Sequence, residues 1–184
     1  MATAPHQETP IVPLLVGRRR HLDGIRRRLE AGDAILRPAL ASLCGRAESA
    51  LAEGPFSVVA DPGLPPSGDR HDYTSVGPYW WPDPSKPDGL PYIRRDGEVN
   101  PERNDGDCVA MGRMARAVGS LALAYCHTAD ERYAERAARL LRVWFLDEAT
   151  RMNPHLTFAQ AIPGRCQGRG VGLIDTTCLV DLLD

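Results

Sequence analysis

Ten of the sixteen prolines in this 184-residue chain fall within residues 55–105, whereas residues 106–153 contain none. Proline locks φ and lacks an amide hydrogen, so the first stretch is barred from long helices and central strands while the second is free to coil. The expected molecule is therefore helical, interrupted by one long irregular segment.

Periodicity supports this. In the proline-free stretch, Met111, Ala115, Val118, Ala122 and Tyr125 fall on one helical stripe, and Tyr133, Ala137, Leu140, Leu141, Trp144 and Phe145 on another. Residues 127–130 form the turn between them, which is short enough to make the helices antiparallel neighbours, with Asp130 as the N-cap of the second. Upstream, Leu22, Ile25 and Leu29, then Ile35, Leu36, Leu40, Leu43, Ala47 and Leu51, predict two helices broken near Gly32 and Asp33, with Asp33 as a cap and Pro38 near the second start. A last apolar run over 171–183 predicts a further helix. No segment alternates like a strand. The fold class is mainly α: antiparallel helical hairpins with long loops rich in proline and aromatic residues.

Composition removes several function classes. With 43% hydrophobic residues, 25% charged residues and a formal charge of −2, the chain is a soluble globular protein with no electrostatic case for a nucleic-acid partner. Lys86 is the one lysine among 22 basic residues, a bias attributed to genomic base composition. The arginine triplets at 18–20 and 26–28 read as a solvated helix face behind an N-terminal tail over 1–20. No run of 18 apolar residues suggests a membrane span, and 1–13 lacks a signal-peptide core, so the start as written implies a cytoplasmic protein. Cys44, Cys108, Cys126, Cys166 and Cys178 are odd in number and lack C-x-x-C spacing, which predicts buried free thiols and no metal site.

The irregular segment carries chemistry. Tyr73, Tyr79, Trp80, Trp81 and Tyr92 are too many large rings for a solvated linker. Aromatic faces beside Arg94 and Arg95 suit an acidic sugar: rings stack on C–H faces and guanidinium groups pair with carboxylates. The competing reading has the tryptophans pinning the loop while the arginines bridge to Asp96 and Glu98. A second loop over 150–170 holds Asn153, His155, Gln160, Arg165 and Arg169. Its neutral amides and guanidinium groups can bind a carboxylate. The run Gly168-Arg169-Gly170-Val171-Gly172 has neither the preceding strand nor the spacing of a phosphate loop. His155 has the chemistry of a general base, but a lone loop histidine is more often structural. Cys126 beside His127 lies at a helix end and makes a poor nucleophile pair.

Residues 71–102, with Tyr79-Trp80-Trp81-Pro82-Asp83-Pro84 and Leu90-Pro91-Tyr92-Ile93-Arg94-Arg95-Asp96-Gly97, resemble the N-terminal half of the alginate lyase domain, and 151–176 resemble its next block. The resemblance implies a partial α/α toroid over 21–184. It implies β-elimination on a uronate-containing polysaccharide, without a metal or organic cofactor, by a periplasmic or secreted enzyme. It also implies that Gln160 contacts substrate, joined by Tyr79, Trp80, Trp81, Arg94, Arg95 and Arg169. The family's catalytic Asn-His pair and tyrosine have no counterpart before Asp184. About three hairpins are legible where a toroid needs about twice as many, so the chain is expected to be an incomplete lyase domain that self-associates through exposed helix faces. A non-catalytic carbohydrate-binding module is the alternative.

Overall fold

A computed structural model describes residues 19–104 and 106–183 of the chain. Four α-helices carry it: α1 (Arg19–Glu30), α2 (Leu36–Ala52), α3 (Asp107–Thr128) and α4 (Glu131–Phe145). These are the helices that the periodicity predicts. Arg19 and Arg20 open α1, while the rest of the tail expected over 1–20, including Arg18, lies outside the described residues.

The helix breaks follow local chemistry. Gly32 takes a left-handed φ of +83°, and Asp33 Oδ1 accepts from the amides of Ile35 at 2.9 Å and Leu36 at 3.3 Å, satisfying donors that α2 cannot. Between α3 and α4 only residues 129–130 intervene. Ala129 adopts the left-handed conformation, and Asp130 caps α4 by accepting from Arg132 N at 3.1 Å. A link this short folds the two helices into an antiparallel hairpin.

α3 is the central element and packs on α2, on α4 and on a long C-terminal 3-10 helix. Its buried residues, Met111, Met114, Ala115, Ala117, Val118, Leu121 and Ala124, spread around more of the helix than one stripe because three neighbours must be served. Ala122, expected in the core, faces solvent, and Leu121 takes the buried position. Tyr133, Ala137, Leu140 and Trp144 of α4 and Ala47 and Ala50 of α2 close the core.

Two features depart from the sequence expectation. Four short strands exist: β1 (Thr74–Val76), β2 (Trp80–Trp81), β3 (Ile93–Arg94) and β4 (Phe158–Ala161). With two to four residues each, they are too short for alternation to register. β1 pairs in parallel with β4, and β2 pairs antiparallel with β3. The last segment, Gly170–Leu182, is a 3-10 helix of 13 residues and not an α-helix. Runs this long are uncommon. Here three successive side chains bond the carbonyl three residues back: Thr176 Oγ1 to Leu173 O, Thr177 Oγ1 to Ile174 O and Cys178 Sγ to Asp175 O. The three-residue repeat turns Gly172, Asp175 and Cys178 inward, and Gly172 packs so close to β4 that an added Cβ would sit 2.5 Å from that of Ala159. Val171, Leu173, Ile174, Val180 and Leu183 remain exposed.

Candidate functional site

The β1–β4 pair brings the first and second loops together. Its register advances two residues along β1, from Thr74 to Val76, and three along β4, from Phe158 to Ala161. The extra residue makes a bulge, and Gln160 within it holds a φ of +50°, strained for a non-glycine residue.

Every polar group of Gln160 is engaged. Its amide N donates to Ser75 Oγ at 2.7 Å, and its carbonyl accepts from Arg169 Nε at 2.8 Å. In the side chain, Oε1 accepts from Arg169 Nη2 at 2.9 Å and Nε2 donates to Asp175 Oδ1 at 3.0 Å. One Nε2–H is left over. Asp175 Oδ2 also accepts from Ser75 Oγ at 2.6 Å and from Tyr73 OH at 3.1 Å. Burial, with Cys108 and Asp175 nearby, pushes the Tyr73 phenol far above its ordinary range, so it remains a neutral donor. Burial also raises the Cys178 thiol.

Arg169 reaches from this cluster to the aromatic loop. Gly77 lies between its guanidinium and Trp80. That loop is held by Asn100, only 1% exposed, whose backbone N donates to Pro78 O at 2.7 Å and whose Nδ2 donates to Trp80 O at 2.8 Å. Trp80 pairs with Arg94 and Trp81 with Ile93 across the β2–β3 ribbon, so the two indoles project from opposite faces and do not form one platform. Each is covered on one side by an arginine: Arg165 Cζ lies 5.3 Å from the Trp80 centroid, and Arg95 Cζ lies 5.0 Å from that of Trp81. Trp81 Nε1 donates to Glu98 O at 2.9 Å.

The sequence candidates thus separate. Gln160, Arg169 and Trp80 converge, with Arg94 on the Trp80 face of the ribbon. Arg94 bridges to Asp96 at 2.7 Å and Arg95 to Glu98 at 3.7 Å, as the structural reading of those arginines expects. Tyr79 is 40% exposed and accepts from Arg95 N through its carbonyl. His155 is a structural staple. Its Nε2 lies 3.0 Å from Asp72 Oδ1, which also accepts from Asn153 Nδ2 at 2.6 Å, while Ser67 Oγ donates to Asp72 Oδ2 at 2.7 Å.

Two participants escaped sequence reasoning, Asp175 and Gly77, and the partner that Arg165 takes escaped it too. Asp175 is the one acid within the apolar stretch 171–180, which is a usable signal. Arg165 Nε donates to Tyr92 O at 2.9 Å across 73 residues, a contact no local pattern announces.

Beside Ser75, a cleft of about 210 Å³ is lined by Thr74, Val76, Phe158, Ala161 and Gln167. That is below the ~300–1,000 Å³ of an enclosed small-ligand pocket. Among the described residues no group of three or more His, Cys, Asp or Glu is placed to hold a metal, and no helix is long and apolar enough to cross a membrane.

The alginate lyase family model matches residues 57–184. The crystal structure of an alginate lyase from Bacteroides ovatus superimposes with a TM-score of 0.84 at 47% identity, over 89% of this chain and 43% of that one. The chain therefore spans less than half the length of that structure. No curated protein matches it.

Proposed function

The chain belongs to the alginate lyase family, and from that premise we propose that it binds a uronate-containing polysaccharide for cleavage by β-elimination. In that reaction a base removes the C5 proton, the electrons form a C4–C5 double bond, and the 4-linked oxygen leaves with a proton from an acid. The C5 proton becomes removable when the attached carboxylate is neutralised.

The observation that carries this reading is the state of Arg169. Neutral oxygens of Gln160 hold two of its nitrogens, and no ion pair with a carboxylate of the described residues offsets its charge. A guanidinium oriented in this way can meet a sugar carboxylate bidentately. Trp80 offers a ring beside it, and the remaining Nε2–H of Gln160 offers a further donor. Arg94 and Tyr79 extend the same loop toward neighbouring sugars of an acidic polysaccharide, while Trp81 and Arg95, on the opposite face of the ribbon, would meet a different part of the polymer. The alternative is binding without turnover, as in a carbohydrate-binding module, which the appearance of an unsaturated product excludes. Acting on such a polymer places the protein in the periplasm or outside the cell.

Titration of a uronate oligosaccharide and of its carboxyl-reduced counterpart into the chain tests the reading, with ultraviolet absorbance reporting any unsaturated product. Binding restricted to the uronate form and weakened by Arg169→Gln is expected. Failure to bind any uronate oligomer overturns it.

A further inference from the structure

Asp175 is a carboxylate at 7% exposure whose side chain accepts hydrogen bonds from neutral donors: Tyr73 OH, Ser75 Oγ and Gln160 Nε2. Among the described residues no Arg, Lys or His forms an ion pair with it. Burying a charge without a counter-ion is unfavourable, and three hydrogen bonds offset only part of that penalty. An apolar or neutral residue would pack the core at least as well, so the charge needs another reason.

The reason lies in what a carboxylate cannot do. Asp175 can only accept hydrogen bonds and Arg169 can only donate them, and the side-chain amide of Gln160 sits between the two. One orientation of that amide, with Nε2 toward Asp175 and Oε1 toward Arg169, satisfies both neighbours. The flipped orientation sets oxygen against oxygen on one side and donor against donor on the other.

We infer that Asp175 is a positioning residue: it fixes the Gln160 amide so that its carbonyl holds the Arg169 guanidinium, leaving that charge oriented and unneutralised for an anionic sugar. Asparagine at this position would present either an oxygen or an NH2 group and would no longer dictate the orientation. The inference rests on the reading that Arg169 meets the uronate carboxylate.

The sign of the effect separates this role from a passive one. A bystander carboxylate near an anion site repels the ligand, so neutralising it tightens binding. Neutralising a positioning carboxylate weakens binding. For Asp175→Asn with an unchanged melting profile, affinity for a uronate trisaccharide is expected to fall about five-fold, the worth of roughly one hydrogen bond. In an Arg169→Gln background the same substitution is expected to change nothing further. Unchanged or tighter binding, or an equal loss in both backgrounds, overturns the inference. If Asp175→Asn does not fold, Gln160→Met removes the same acceptor from Arg169 and is expected to give a similar loss, and retained affinity overturns the inference. If the native chain binds no uronate, the functional reading fails separately. The Nη2–H resonances of Arg169, which donate to Gln160 Oε1, then decide: slow hydrogen exchange that becomes fast in Asp175→Asn supports positioning, and exchange unaffected by the substitution overturns it.

Discussion

Gly77 lies directly against the guanidinium of Arg169: a Cβ on this glycine would stand 2.5 Å from Nη2 and 2.7 Å from Trp80 Cδ1. Its backbone is not in the left-handed region, so the requirement is for space alone. Gly77→Ala must displace either the arginine or the indole. The expected outcome is a loss of about 1–3 kcal/mol in stability from overpacking, together with a marked drop in uronate affinity. Calorimetric melting and ligand titration on the same sample check both. Native affinity in the alanine variant would show that the arginine does not contact the ligand.

Asp107 ties α3 to β1, its Oδ2 accepting from Thr74 N at 2.8 Å and from Thr74 Oγ1 at 3.3 Å. Burial, reinforced by the nearby Asp61 carboxylate, pushes its carboxyl up to about 6. Because the folded value lies above the ordinary one, its contribution is complete below about pH 4 and is lost as pH rises through about 6, by on the order of 2 kcal/mol. Denaturant titrations between pH 4 and 7.5 should show stability falling across this window. Asp107→Asn keeps an acceptor for Thr74 and should flatten that slope and raise stability at neutral pH. A native slope that rises with pH across the window would contradict the assignment.

Leu121 is fully buried where α3 meets its neighbours. Leu121→Ala should destabilise the chain by about 2–5 kcal/mol, through lost transfer energy and a cavity that close-packed neighbours cannot fill. Urea unfolding measures the change, and a difference below about 1 kcal/mol would mean that the core relaxes around the gap.

Leu173 and Ile174 on the 3-10 helix are 68% and 57% exposed, and Val171, Val180 and Leu183 extend the apolar face. Contiguous surface of this kind drives association. Sedimentation velocity is expected to show concentration-dependent oligomers, and Ile174→Asp should shift them toward monomer with little change in melting temperature. A native chain that remains monomeric at high concentration would show that this face is not adhesive.

Much of the helical frame was legible because its signals are local. The stripes of α3 and α4 and the caps at Asp33 and Asp130 all lie within a few residues of what they determine. The site was legible only in its residue types. Gln160, Arg169 and Trp80 could be nominated, but the groups that orient them are remote, with Ser75 and Asp175 100 residues apart. The β1–β4 bulge depends on a pairing between segments some 80 residues apart, and the tight packing at Gly77 depends on Arg169, far along the chain. The helix type of the last segment was missed because apolar residues spaced for an α-helix also satisfy a three-residue turn over so short a span.

The winding of that last segment also sets a length. Thirteen residues at about 2.0 Å each span about 26 Å, whereas α-helical winding would take about 19.5 Å. Rewinding would draw the end of the chain in by about 6 Å and rotate each successive side chain, carrying the carboxylate of Asp175 away from Ser75 and Tyr73. The winding of this helix and the orientation of the Arg169 guanidinium, linked through Asp175 and the Gln160 amide, are thereby a single mechanical variable.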